Sequence, residues 1–166
     1  EDGLAVLAAL GDVILASDVV MVARGDLGVE MVDPELVGNM QALIRRVEEA
    51  SAPKTGMVLN LAMNYGGRAE IAHAARALAQ RVKDGALEPG DITEEMLSGA
   101  LFTAGQPDPD LIIRPSGEER LSNFLLWQSA YAEFVSFDIL WPDFKPKHLD
   151  AAIEKFQSRS RRFGGV

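Results

Sequence analysis

The chain has 166 residues and no cysteine, which excludes disulfides and thiolate metal sites and agrees with a reducing, cytoplasmic setting. Its two histidines, His73 and His148, have no ligand partner at metal spacing, so each reads as an ordinary helical residue. Basic residues are few: 16 Lys and Arg stand against 25 Asp and Glu, for a net charge of −9. That balance argues against nonspecific nucleic-acid binding, which needs a basic surface to displace counterions, and any polyanion site must be local. No apolar run approaches the ~20 residues that span a bilayer, and the opening EDGLAVLAALG lacks the basic stretch of a secretory signal. No initiator methionine is present, so Glu1 reads as the start of a fragment or a processed chain.

What is present is ordinary for a folded protein: 48% hydrophobic and 25% charged residues, a composition that can bury a core. The length suits one domain over residues 1–166. Apolar, β-rich runs alternate with helical periodicity, which predicts an α/β fold: a mostly parallel four-stranded sheet with helices on both faces. The predicted strands are Val19–Ala23, Met57–Met63, Leu111–Arg114 and Phe134–Leu140, hydrophobic enough throughout to expect burial on both faces. The predicted helices are Leu4–Leu10, Pro34–Ala50, Arg68–Asp84, Thr93–Phe102, Ser122–Glu133 and Lys147–Arg161. Pro34 suits a first helical turn after Asp33 as cap, and Asp91 with Glu94 resembles a capping box.

In such sheets ligands sit beyond the carboxyl ends of the strands, so the residues just after each strand carry the chemistry. They are ARGDLG, NYGGR, RPSGEERLSN and WPDF. In the third, Arg114 ends a strand, Arg120 follows, and Ser122 stands where it would cap the next helix. Two guanidiniums and a helix amino terminus converging on one volume would hold a diphosphate by charge-assisted hydrogen bonds. Two solvated surface arginines beside an ordinary cap are the alternative. The two glycines of NYGGR permit close approach to a ligand or to another strand, or simply make a tight turn. On the predicted helix Glu133 comes round to nearly the face of Ser122, since it follows eleven residues later, close to three turns. A carboxylate on so apolar a helix needs a cation, either Arg114 or a divalent metal.

The stretch LIIRPSGEERLSNFLLWQSAYAEFVSFDILWPDF, with LNLAMNYGGRAEI and the ending RSRRFGG, resembles the signature regions of undecaprenyl diphosphate synthases and related cis-prenyltransferases. The resemblance is clear over residues 36–165 and reaches more weakly to Gly25 and Asp26. It implies condensation of isopentenyl diphosphate onto an allylic diphosphate with Mg²⁺, yielding polyprenyl carrier lipids. By the same resemblance Arg114, Arg120 and Ser122 grip the diphosphate and Glu133 helps hold the metal. Arg162 and Gly164 fall in the Arg-x-Gly motif that reaches across a homodimer.

Two departures set expectations of their own. The family's Asp-Gly-Asn-Gly-Arg-Trp loop, which cradles the allylic diphosphate and supplies an essential aspartate, matches nothing in these residues, and neither does its Glu-Asn-Trp stretch. In their place ILASDVVMVARGDLGVEM, Ile14–Met31, resembles a helix-to-strand piece of pyruvate kinases, in which Asp26 would belong to a metal site. The expected molecule is a chimera, with a pyruvate-kinase-like segment over 1–31 and a truncated cis-prenyltransferase-like fold over 32–166, the alternative being a divergent natural protein. Asp26, Arg114 and Glu133 would share the carboxyl edge of the sheet. Such a chain binds isopentenyl diphosphate and turns over little alone, or is a recombined fold with no catalytic function.

Overall fold

A computed structural model describes residues 19–24 and 34–159. The predicted helix Leu4–Leu10, the cap Asp33, and Asp26, Arg162 and Gly164 lie outside the described residues. The described residues divide into two compact units, one within Ser17–Tyr65 and one from Gly66 onward.

In the first unit, β1 (Val19–Arg24) and β2 (Val58–Met63) pair in parallel, from Val19 opposite Val58 to Arg24 opposite Met63. Parallel neighbours need a crossover, and α1 (Pro34–Ser51) supplies it, with Pro34 as its first residue. Burial on both faces of β2 is not observed: Ala62 is buried, but Val58 and Leu61 are about half exposed.

In the second unit, β3 (Leu111–Pro115) and β4 (Glu133–Phe137) pair in parallel, Leu111 opposite Glu133 and Arg114 opposite Ser136. The expected α/β class with parallel strands is therefore present, its four described strands arranged as two pairs. Helix α2 (Gly67–Lys83) buries Gly67, Glu70, Ala74 and Leu78, one stripe at helical spacing. The core of this unit adds Leu101, Ile112, Leu125, Val135 and Phe144, together with Leu149 and Ala152 of α4 (Pro146–Ser158).

Helix α3 is only Glu94–Ser98, and its cap is Thr93, whose side chain accepts from the Met96 N–H; Asp91 instead ends a 3₁₀ turn over Pro89–Asp91. The larger correction concerns the expected helix Ser122–Glu133. Ser122, Asn123 and Leu125 have φ of 48°, 67° and 46°, left-handed values that a right-handed helix cannot contain. Turns and a 3₁₀ segment, Gln128–Tyr131, follow, and Glu133 opens β4. Leu125 and the polar Gln128 of this stretch are nonetheless both buried. No described helix is long and apolar enough to cross a membrane.

Candidate functional site

Arg114 lies one residue from the carboxyl end of β3, where a β-strand's last side chains project toward the ligand edge of a parallel pair. The chain then turns through Ser116 (φ 98°) and Gly117 (φ 71°). That turn is fastened to the end of β4: the Ser116 N–H donates to Ile139 O at 2.6 Å and the Gly117 N–H to Phe137 O at 2.8 Å. Glycine suits position 117, because its φ is left-handed and a Cβ there would stand 2.9 Å from Asp138 Oδ1.

The turn delivers Glu118 between the two predicted arginines. Arg114 Nη2 donates to Glu118 Oε2 and Arg120 Nη2 to Oε1, so both guanidiniums converge on one carboxylate. The hydrogen bond from Arg114, with the charge of Arg120, holds the Glu118 carboxyl below the usual carboxylate range against a smaller opposing effect of burial. Arg114 is three-quarters buried, and its Nε is buried without a hydrogen-bond partner among the described residues. A pair of planar forks closed on a carboxylate is equally suited to a phosphate, and the unpaired Nε is a donor still to be satisfied.

Ser122 is exposed and does not cap a helix, since its φ of 48° is not a cap conformation and no helix follows. The pair Gly66-Gly67 serves close approach by another segment: the Gly67 N–H donates to Asn123 O at 2.7 Å and the Arg68 N–H to Asn123 Oδ1 at 2.8 Å. The first turn of α2 is thus occupied by protein.

Glu133 is not brought to the arginines. It opens β4 opposite Leu111, three residues from the Arg114 position, or roughly 10 Å along the pair. Arg114 and Glu133 therefore mark opposite ends of the strand pair, and the expectation of a shared carboxyl edge fails because the intervening chain is not a helix. The cation partner of Glu133 is Arg159, at the end of α4, with Nη1 at 2.5 Å from Oε2. Among the described residues no three His, Asp or Glu side chains cluster as metal ligands. His73 and His148 sit in α2 and α4 as expected, His73 against the Phe102 ring and His148 accepting the Lys145 N–H at its Nδ1.

Sequence reasoning passed over Glu118, although its placement four residues after Arg114 was visible, and passed over Asn123, whose partners are 55 or more residues away.

Comparison with known proteins bears on this geometry. Residues 13–164 match a family model described as "Putative undecaprenyl diphosphate synthase". An isoprenyl transferase of Brucella abortus is 55% identical over 132 residues, covering 80% of this chain and 52% of that protein. One from Bacillus subtilis is 51% identical over 144 residues, covering 82% and 55%. The chain thus spans about half the length of these relatives. Among solved structures, lavandulyl diphosphate synthase from Lavandula x intermedia, in complex with dimethylallyl diphosphate, superposes with a TM-score of 0.76 at 37% identity, over 99% of this chain and 70% of that one.

Proposed function

The chain belongs to the undecaprenyl diphosphate synthase family, and on that premise we propose that these 166 residues bind isopentenyl diphosphate as part of a cis-prenyltransferase. The observation that carries this reading is the convergence of Arg114 and Arg120 on Glu118 at the carboxyl end of β3. The diphosphate takes the place of the Glu118 carboxylate between the guanidiniums, the Arg114 Nε gains an acceptor, and the exposed Ser122 hydroxyl adds a donor. Arg162 and Gly164, by resemblance, complete the grip across a homodimer.

Mg²⁺ would supply charge neutralisation for the diphosphates. By resemblance Glu133 would help hold it, and would do so only on leaving Arg159.

Turnover by these residues alone is expected to be low. Nothing in them matches the allylic-diphosphate loop, and without a positioned electrophile a condensation forgoes the ~7–11 kcal/mol that orientation can contribute. The second reading, a chimera without catalytic function, rests on the pyruvate-kinase-like Ile14–Met31. Against it stands a family match that begins at residue 13 and takes in that stretch.

The test is calorimetric titration with isopentenyl diphosphate, beside isopentenol as a control that shares the hydrocarbon and lacks the anion, and an elongation assay with an allylic diphosphate. Binding of the diphosphate alone, without elongation, is the expected result. Equal binding of both ligands would remove the diphosphate site, and sustained cis elongation would refute low turnover.

A further inference from the structure

The diphosphate reading leaves unexplained how a loop with two exposed, strained residues keeps its shape. Helix α2 has no cap of its own, because Gly66 makes no side-chain cap. Two of its otherwise unpaired first-turn N–H groups go instead to one residue of that loop: Gly67 N–H to Asn123 O at 2.7 Å and Arg68 N–H to Asn123 Oδ1 at 2.8 Å. Asn123 is left-handed (φ 67°), which asparagine tolerates, and so is Ser122 (φ 48°), which serine adopts far less readily. The glycine pair is sized to this contact. A Cβ on Gly66 would stand 2.8 Å from Asn123 Nδ2, and one on Gly67 3.0 Å from Leu126 Cγ and 3.2 Å from Asn123 O.

The contacts described hold the loop at both of its ends. One is the β3–β4 end, where Ser116 and Gly117 are bonded to the β4 exit. The other is Asn123, immediately after Ser122 and three residues after Arg120. Arg120 itself is two-thirds exposed and donates to Glu118, itself part of the loop.

We infer that Asn123 is a positioning residue: by clamping the amino end of α2 it holds the loop of Arg120 and Ser122 in the conformation that binds diphosphate. The inference rests on the diphosphate reading, and it assigns Asn123 no contact with the ligand.

The full chain and its Asn123→Ala, Asn123→Gly, Gly66→Ala and Arg114→Ala variants are titrated with inorganic diphosphate and with isopentenyl diphosphate, well below each variant's melting temperature. Asn123→Ala weakens binding about tenfold, the scale of one hydrogen bond with its backbone preference. Asn123→Gly keeps the left-handed backbone and the carbonyl to Gly67, and binds more tightly than the alanine variant. Gly66→Ala weakens binding with Asn123 still present. Unchanged affinity in Asn123→Ala and Gly66→Ala, while Arg114→Ala loses binding, overturns the inference and leaves the diphosphate reading standing. Equal loss in the glycine and alanine variants supports a clamp made chiefly by the Oδ1 bond to the Arg68 N–H, which both variants lack. No binding by the parent chain removes both. If Asn123→Ala does not fold, Gly66→Ala and Asn123→Gly decide by the same criteria.

Discussion

Glu70 of α2 and Gln128 of the 3₁₀ turn before β4 meet in the interior, with Gln128 Nε2 3.1 Å from Glu70 Oε2 and 3.3 Å from Oε1. Neither side chain is more than 2% exposed. The Phe102 N–H also donates to Glu70 Oε1 at 2.8 Å, and Gln128 Nε2 reaches Thr103 Oγ1 at 3.0 Å. One carboxylate thereby ties α2, the segment after α3 and the chain entering β4 into a single polar cluster.

Removing that carboxylate leaves buried donors unpaired. Glu70→Ala is expected to cost about 3 kcal/mol in urea unfolding, the scale of a broken buried polar network. Glu70→Gln should cost about 1–2 kcal/mol, because an acceptor oxygen remains and the unpartnered Gln128 Oε1 can accept from the new amide. Equal stability of the alanine variant and the parent would contradict the assignment.

Glu118 predicts a pH dependence. Arg114 and Arg120 lower its carboxyl in the folded chain, so the ion-paired loop contributes stability above the ordinary glutamate range and loses it as pH falls through the lowered value. Melting temperatures taken from neutral pH into acid should fall more steeply in the parent than in Glu118→Gln. Parallel curves would mean that the pairing does not bear on stability. In the same variant, diphosphate no longer has to displace a carboxylate, and its affinity at neutral pH should rise severalfold if Glu118 competes for the guanidiniums.

Much of the second unit could be read directly from periodicity. The apolar stripe of α2 is spaced as a helix requires, and β3 ends within one residue of the expected Arg114. The misreading of residues 122–133 has a physical origin. Apolar residues there fall at helical spacing, but the left-handed turns sit at Ser122, Asn123 and Leu125, none of them glycine, so no breaker announces them. What imposes them is nonlocal: the Asn123 bonds to α2 and the Gln128 bond to Glu70, both across more than fifty residues. With that helix went the supposed nearness of Glu133 to Arg114. The convergence of Arg114 and Arg120 was legible because both lie within one short loop after a recognisable strand.

Glu133 and Arg159 are expected to matter little for stability. Their side chains are 23% and 44% exposed, so a double-mutant cycle of Glu133→Gln and Arg159→Ala should give a coupling of about 0.5 kcal/mol, shrinking with salt. A coupling above ~2 kcal/mol would show a buried pair instead.

The central claim, a diphosphate grip built on Arg114, is tested most directly by titrating isopentenyl diphosphate into the parent chain and the Arg114→Ala variant under identical conditions, with unfolding curves to establish that both are folded. Loss of about 100-fold or more in affinity, with the fold intact, is the predicted result, the scale of a charged, bidentate donor removed from an anion site. Affinity within a factor of about two of the parent would contradict the claim and leave the family membership as a statement about ancestry of the fold.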